Sequence, residues 1–267
     1  MNRIADKFAQ LKSQGRKALI PFITAGDPSL EATVPVMHAL VRAGADVLEL
    51  GVPFSDPMAD GPTIQRSSER ALARGAGLAY VLEAVHEFRR EDASTPVVLM
   101  GYLNPVEIHG TERFAEAAVA AGVDGVLLVD LPPEESAETR AVFDRAGLAL
   151  IVLAAPTTDD ARLPLVCGQA QGYLYYVSFA GVTGADHLDT RAAGQRLQAL
   201  RKLSPVPVVA GFGIKDAAGA AAMAVDADGV VVGSALVQAL EGAGDSSEAR
   251  VLAEGFLRPL RVALDGL

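Results

Sequence analysis

The stretch Leu48-Glu49-Leu50-Gly51-Val52-Pro53-Phe54-Ser55-Asp56-Pro57-Met58-Ala59-Asp60-Gly61-Pro62 decides how this chain is read. It begins as an apolar strand with one acid in it. It breaks at Pro53 into a loop with two more acids, Asp56 and Asp60, and Gly61-Pro62 closes the loop and opens a helix. Proline in a first helical turn forgoes an N–H that would have no partner there. A carboxylate in a buried strand is expensive unless something satisfies or uses it. Strand alternation puts Val47, Glu49 and Gly51 on one face and Leu48, Leu50 and Val52 on the other. Helices cover the purely apolar face, so Glu49 faces the opposite side, beside a glycine that leaves room for a ligand.

A rhythm extends outward from this stretch. Residues 2–13 read as a short helix with Ile4, Phe8 and Leu11 on one side. Strands are expected at Ala18–Thr24, Val47–Val52, Pro96–Tyr102, Val126–Asp130, Leu148–Ala155, Tyr173–Phe179, Val206–Ala210 and Gly229–Val232. Helices are expected to about Ala43, with Pro35 in the first turn or kinking it, across 62–90, and over 111–121, 133–146 and 190–203. Others run from about Asp216, from Gly233-Ser234 and over about 246–264, with a weak one interrupted by Pro164. The piece 241–248 reads as a loop. Ala43-Gly44-Ala45-Asp46 and Ala121-Gly122-Val123-Asp124 recur where helices hand over to strands, and glycine suits a helix C-terminus.

Eight near-continuous apolar strands alternating with helices point to an α/β fold, a (β/α)₈ barrel with an extra N-terminal helix, as one domain over residues 1–267. No G-x-G-x-x-G follows the first strand, which weakens a dinucleotide-binding reading.

Composition narrows the function. The net charge is −10, and Lys and Arg never run beyond pairs, which disfavours nucleic acid. One cysteine, Cys167, fits a reducing compartment and reads as a packed thiol. The start lacks a signal-peptide core, and no apolar run reaches the roughly 20 residues of a membrane span. The expectation is a cytoplasmic protein. His38, His86, His109 and His187 are scattered, with no metal-ligand spacing.

In such barrels chemistry sits at the C-terminal strand ends. Glu49, Asp60, Asp130, Tyr175 and Thr183 fall there. Glu49 reads as functional, against a core acid satisfied by a neighbouring tyrosine. Asp60 competes with Asp56 and with a plain helix-start role. Asp130 falls on the helix-facing side and reads as structural. Gly211-Phe212-Gly213-Ile214 and Gly233-Ser234-Ala235 follow strands seven and eight, where barrels commonly hold phosphate on glycine-rich backbone and a helix N-terminus. Gly181-Val182-Thr183-Gly184 can add further amides.

The opening stretch resembles the signature of the tryptophan synthase α subunit family. So do Pro21-Phe22-Ile23-Thr24-Ala25-Gly26-Asp27-Pro28, Leu99-Met100-Gly101-Tyr102-Leu103-Asn104-Pro105, Asp130-Leu131-Pro132, Ala155-Pro156-Thr157, Gly181-Val182-Thr183-Gly184, Gly211-Phe212-Gly213-Ile214 and Val232-Gly233-Ser234-Ala235. Phe179-Ala180 is a variable spot in that family.

The resemblance implies cleavage of indole-3-glycerol phosphate to indole and glyceraldehyde 3-phosphate. It implies no cofactor in this subunit and a pyridoxal-phosphate-dependent β subunit as partner in an αββα complex. It implies Glu49 as the acid–base group, Asp60 on the indole N–H, Tyr175 close to Glu49, and Thr183 meeting Asp60 when loops close. Phosphate would rest on Gly184, Gly213, Gly233 and Ser234. Phe22, Met100, Leu127, Val129 and Phe212 would line the indole pocket, with strand parity supporting 127 and 129. Other readings stay open: a sugar-phosphate isomerase, a stand-alone indole-releasing lyase, or a non-catalytic activator of the partner.

Overall fold

The computed structural model describes residues 2–177, 190–211 and 213–267. Eight parallel strands close into a barrel in chain order. They are β1 (Ala18–Thr24), β2 (Leu48–Gly51), β3 (Val97–Gly101), β4 (Gly125–Leu128), β5 (Ala149–Ala154), β6 (Leu174–Val177), β7 (Val208–Gly211) and β8 (Gly229–Val232). Around them run α1 (Arg3–Ser13), α2 (Thr33–Arg42), α3 (Pro62–Ala73), α4 (Leu78–Phe88), α5 (Leu103–His109), α6 (Thr111–Ala121), α7 (Ala137–Ala146), α8 (Leu163–Gln169), α9 (Thr190–Leu203), α10 (Ala217–Ala224), α11 (Ser234–Leu240) and α12 (Ser246–Asp265). Among the described residues, no helix is long and apolar enough to cross a membrane.

Alternation along the strands divides the core in two. Leu48, Leu50, Leu99, Val126 and Leu150 pack outward under the helices. Val47, Val98, Leu127, Ile151, Tyr173 and Tyr175 fill the interior. The extra helix α1 plugs the N-terminal end of that interior with Ile4, Phe8 and Leu11. Burying each of these is worth roughly 1.5–3 kcal/mol. Asn2 caps α1 by accepting from the Ile4 N–H at 2.9 Å, and its amide donates to the Asp124 carbonyl at 3.0 Å. Arg3 pairs with the Asp124 carboxylate at 2.9 Å.

The Ala-Gly-x-Asp pieces have a second job that the glycine alone did not reveal. Gly122 ends α6 in the left-handed conformation, φ +94°. The aspartate two residues on reaches back to the preceding strand. Asp46 accepts from Leu19 N and Asp124 from Val97 N; Asp228, which follows Val225-Asp226-Ala227 and no glycine, accepts likewise from Val208 N, each at 2.9 Å. Each carboxylate also meets an arginine: Arg261 at Asp46, Arg89 at Asp124, and Arg201 at Asp228.

Several boundaries differ from the sequence expectation. Pro35 lies in the first turn of α2 and does not kink it. Pro164 sits in the first turn of α8 and begins that helix, where an interruption was expected; Cys167 is buried within it. The helix α5 has no counterpart among the expected helices; its Pro105 also lies in a first turn. Strand β4 stops at Leu128, short of Asp130. The expected loop 241–248 is shorter, since α12 starts at Ser246 with Asp245 accepting from Glu248 N as its cap. The expected end of strand six, 178–179, and the loop at 180–185 lie outside the described residues.

Candidate active site

The inner face of β2 delivers Glu49 to the barrel interior, where its side chain is wholly buried. Phe22 on β1 and Val98 on β3 flank it in register. Its Oε1 accepts a hydrogen bond from Tyr173 Oη at 2.6 Å, and Oε2 has no partner among the described residues. Burial disfavours the charged form and pushes the Glu49 carboxyl up to about 7; the Tyr173 hydrogen bond pulls the other way. A group poised there can both give and accept a proton near neutrality.

Tyr175 points the same way from β6. Burial and the nearby Glu49 charge raise its phenol well above the ordinary value. It needs Gly211 on β7, where a Cβ would fall 2.3 Å from Tyr175 Oη. Gly51, the residue after Leu50 on β2, is required for a similar reason: a Cβ there would lie 2.6 Å from Phe22 Cζ. The room inferred beside Glu49 is thus filled by the Phe22 ring.

Asp60 lies in the loop between β2 and α3. Tyr102 Oη donates to its Oδ2 at 3.1 Å and accepts from Ala59 N at 3.0 Å. Gln65 Nε2 donates to the Asp60 carbonyl at 2.9 Å, which closes the loop onto α3. Phe54 stacks on Tyr102 with ring centroids 5.0 Å apart. Burial raises the Asp60 carboxyl, with Tyr102 opposing, and no cation among the described residues stands beside it. Asp56, its competitor in the sequence, is exposed and bonded to Ser55.

Asp60 shares a crevice with Phe22, Gly51, Ile64, Met100, Tyr102 and Val129. Leu127 is one inward step below Val129 in the interior core. Gly233 and Ser234 open α11 against this crevice, with Phe22 Cβ 3.6 Å from the position of a Gly233 Cβ. Gly213 follows β7 with φ +55°. Thr183, Gly184 and Phe212 lie outside the described residues. Asp130 serves the scaffold: its Oδ1 accepts from Leu103 N at 2.8 Å, at the start of α5. A larger cavity, about 310 Å³, opens beside β4 and β5, and Asp130 is its one lining carboxylate among the described residues.

Tyr173 and Tyr102 were missed as partners of the two acids. The signal for Tyr173 was its parity with Tyr175. Tyr102 follows β3 directly, at the rim where the loops meet. Among the described residues, no group of three or more His, Cys, Asp or Glu side chains could hold a metal ion. His38 packs on Phe88, 4.7 Å between ring centroids, and burial raises the Cys167 thiol.

Known proteins agree with one another on what this arrangement resembles. The profile of the family described as "Tryptophan synthase alpha chain" matches residues 8–258. The tryptophan synthase alpha chain of Xanthomonas euvesicatoria pv. vesicatoria is 79% identical over 266 residues, 99% of each chain. A crystal structure of the alpha subunit from Legionella pneumophila str. Paris superposes with a TM-score of 0.93 at 46% identity, covering 100% of both chains. The tryptophan synthase α2β2 complex of Pyrococcus furiosus contributes a chain with a TM-score of 0.85 at 39% identity, over 92% of this chain and 98% of that one. The chain belongs to the tryptophan synthase alpha chain family.

Proposed function

We propose that Glu49 and Asp60 carry the reaction of this family in this chain: retro-aldol cleavage of indole-3-glycerol phosphate to indole and glyceraldehyde 3-phosphate. The observation that carries this reading is the buried, unpartnered Oε2 of Glu49, on a carboxyl poised near 7 and beneath an apolar crevice that also holds Asp60. Glu49 in its acid form gives a proton to indole C3, and the ring nitrogen becomes positive. The Asp60 carboxylate stabilises that developing charge at the N–H. The Glu49 carboxylate then takes the proton of the side-chain hydroxyl as the carbonyl forms. The electrons of the breaking carbon–carbon bond return to the indole, so protons and electrons balance. A positioned acid–base group typically contributes about 10²–10⁴-fold.

Phe22, Met100, Leu127, Val129 and Phe212 hold the indole. Gly184, Gly213, Gly233 and Ser234 hold the phosphate through backbone N–H groups and the Ser234 hydroxyl. Tyr175 lies beside Glu49, and Thr183 meets Asp60 on closure of the loops, which excludes water. The 267 residues act as one barrel domain in the cytoplasm. No cofactor is needed in this subunit.

The indole passes to a pyridoxal-phosphate-dependent β subunit in an α2β2 complex. Met58 on the β2–α3 loop and Ile108 on α5 support a docking surface at this rim: they are 81% and 80% exposed, unusual for such apolar side chains.

The test is indole release by the purified chain with and without a β subunit. Slow release alone, rising strongly with the partner, is expected. No release in either condition from folded protein contradicts the reaction, and fast release indifferent to the partner contradicts the complex.

A further inference from the structure

The plug helix α1 reaches further into the site than its position at the opposite end of the barrel suggests. Phe8 packs its ring against Tyr173, with centroids 5.9 Å apart and planes at 46°. Ile4, one turn earlier, lies against the residue before it: a Cβ on Gly172 would come within 3.3 Å of Ile4 Cδ1. Gly172 itself takes φ +65°. Tyr173 is wholly buried, and its hydroxyl holds Glu49 Oε1 at 2.6 Å. The helix is not free to drift. Asn2 donates to the Asp124 carbonyl, and Arg3 donates to the Asp124 carboxylate at 2.9 Å and to the Ala93 carbonyl at 2.7 Å. Ring, backbone and anchor therefore act on one tyrosine, and that tyrosine acts on one carboxylate.

We propose that Phe8 is a positioning residue for the reaction: through the Phe8–Tyr173 ring contact, α1 fixes the hydroxyl that orients the Glu49 carboxylate. The inference rests on the proposed role of Glu49. It gives α1 a task beyond filling the barrel floor, and it places a determinant of proton transfer at the end of the barrel remote from the substrate.

Among the described residues, the titratable groups acting on Glu49 are Tyr173, just before β6, and Tyr175 on it. The flanking strands present Phe22 and Val98 beside it, and α1 directs only Ile4, Phe8 and Leu11 into the interior. Hydrogen bonding from Tyr173 favours the charged carboxylate. Loosening Tyr173 therefore raises the Glu49 carboxyl further.

The experiment compares the full-length chain with Phe8→Ala, Tyr173→Phe, the pair together, and Leu11→Ala, each assayed with a β subunit. Leu11 is buried on the same helix and tests loss of packing alone. The expected result for Phe8→Ala is a kcat lower by about tenfold, as for a small misplacement of a reacting group. KM should be little changed, and the pH-rate limb set by Glu49 should move to higher pH. Tyr173→Phe moves the limb the same way, the double variant adds little, and Leu11→Ala leaves it in place. If Phe8→Ala does not fold, Phe8→Leu keeps most of the buried volume and shows the same shift, reduced. A 13C titration of the Glu49 carboxyl in the full chain gives the same comparison without substrate. Absence of indole release from the unaltered chain thus fails the proposed reaction separately. An unmoved Glu49 titration in the Phe8 variants, or an equal shift in Leu11→Ala, overturns the inference.

Discussion

The two ends of the barrel give their carboxylates different partners. At the N-terminal floor, Asp46, Asp124 and Asp228 each meet an arginine and each hold an N–H at the start of a neighbouring strand. At the C-terminal rim, Glu49 and Asp60 meet, among the described residues, only tyrosine hydroxyls, Tyr173 and Tyr102. The residue types are similar, and Asp46, Asp124 and Glu49 are all buried. The difference is the cation. An arginine with a strand N–H makes a carboxylate a fixed strut. A phenol leaves it able to take a proton, because burial has lifted its affinity and no charge pulls it back. The contrast lies in the partners and not in the direction of the shift at Asp46, where burial outweighs the Leu19 N–H and Arg261 and keeps the carboxyl above its ordinary value.

The contrast predicts that rim substitutions remove rate and floor substitutions remove stability. The largest effect is expected for Glu49→Gln. Indole release should fall by about 10²–10⁴-fold while the chain remains folded by circular dichroism. Retention of most of the rate would break the rim half of the comparison. Next comes Asp124→Ala, which leaves the buried Arg89 without its carboxylate and Val97 N without an acceptor. Urea unfolding should show a loss of about 3 kcal/mol, with indole release per folded molecule unchanged. A smaller effect is expected for Tyr102→Phe, which removes the donor to Asp60 and the acceptor for Ala59 N. Turnover should drop severalfold, roughly the worth of one hydrogen bond, with the midpoint of unfolding nearly unmoved. A Tyr102→Phe chain that unfolds early but turns over normally would place Tyr102 with the struts.

Much of this was legible before any coordinates. Parity alone put Glu49 inside, because Leu48 and Leu50 claim the helix-facing side. Eight apolar runs with helices between them gave the barrel, and Ile4, Phe8 and Leu11 showed that the first helix has a buried face. What escaped was contact between distant segments. Tyr173 meets Glu49 across 124 positions of chain, and only barrel closure in register brings them together. The aspartates of the Ala-Gly-x-Asp pieces bond 27 residues back, while their glycines act locally and could be read locally. The helix α5 was hidden by Pro105, since proline in a first turn and proline in a loop look alike in sequence. Gly51 suggested space beside Glu49. The space is occupied by Phe22, whose ring can lie there only because no Cβ intervenes.

The most direct measurement is urea unfolding of the unaltered chain and of Glu49→Gln at pH 4.5 and at pH 8. The folded Glu49 carboxyl is raised from 4.5 to about 7. Below the lower value both folded and unfolded chains hold the proton, so its contribution is fully present. As pH rises toward 7 the unfolded chain releases the proton while the folded chain keeps it, and stability is lost. Between those limits the loss amounts to about 3 kcal/mol. The account predicts that Glu49→Gln, which has no proton to lose, gains stability over the unaltered chain by about that amount between pH 4.5 and pH 8. A difference between the two chains that does not change with pH would contradict it, since Glu49 would then be an ordinary or fully compensated carboxylate.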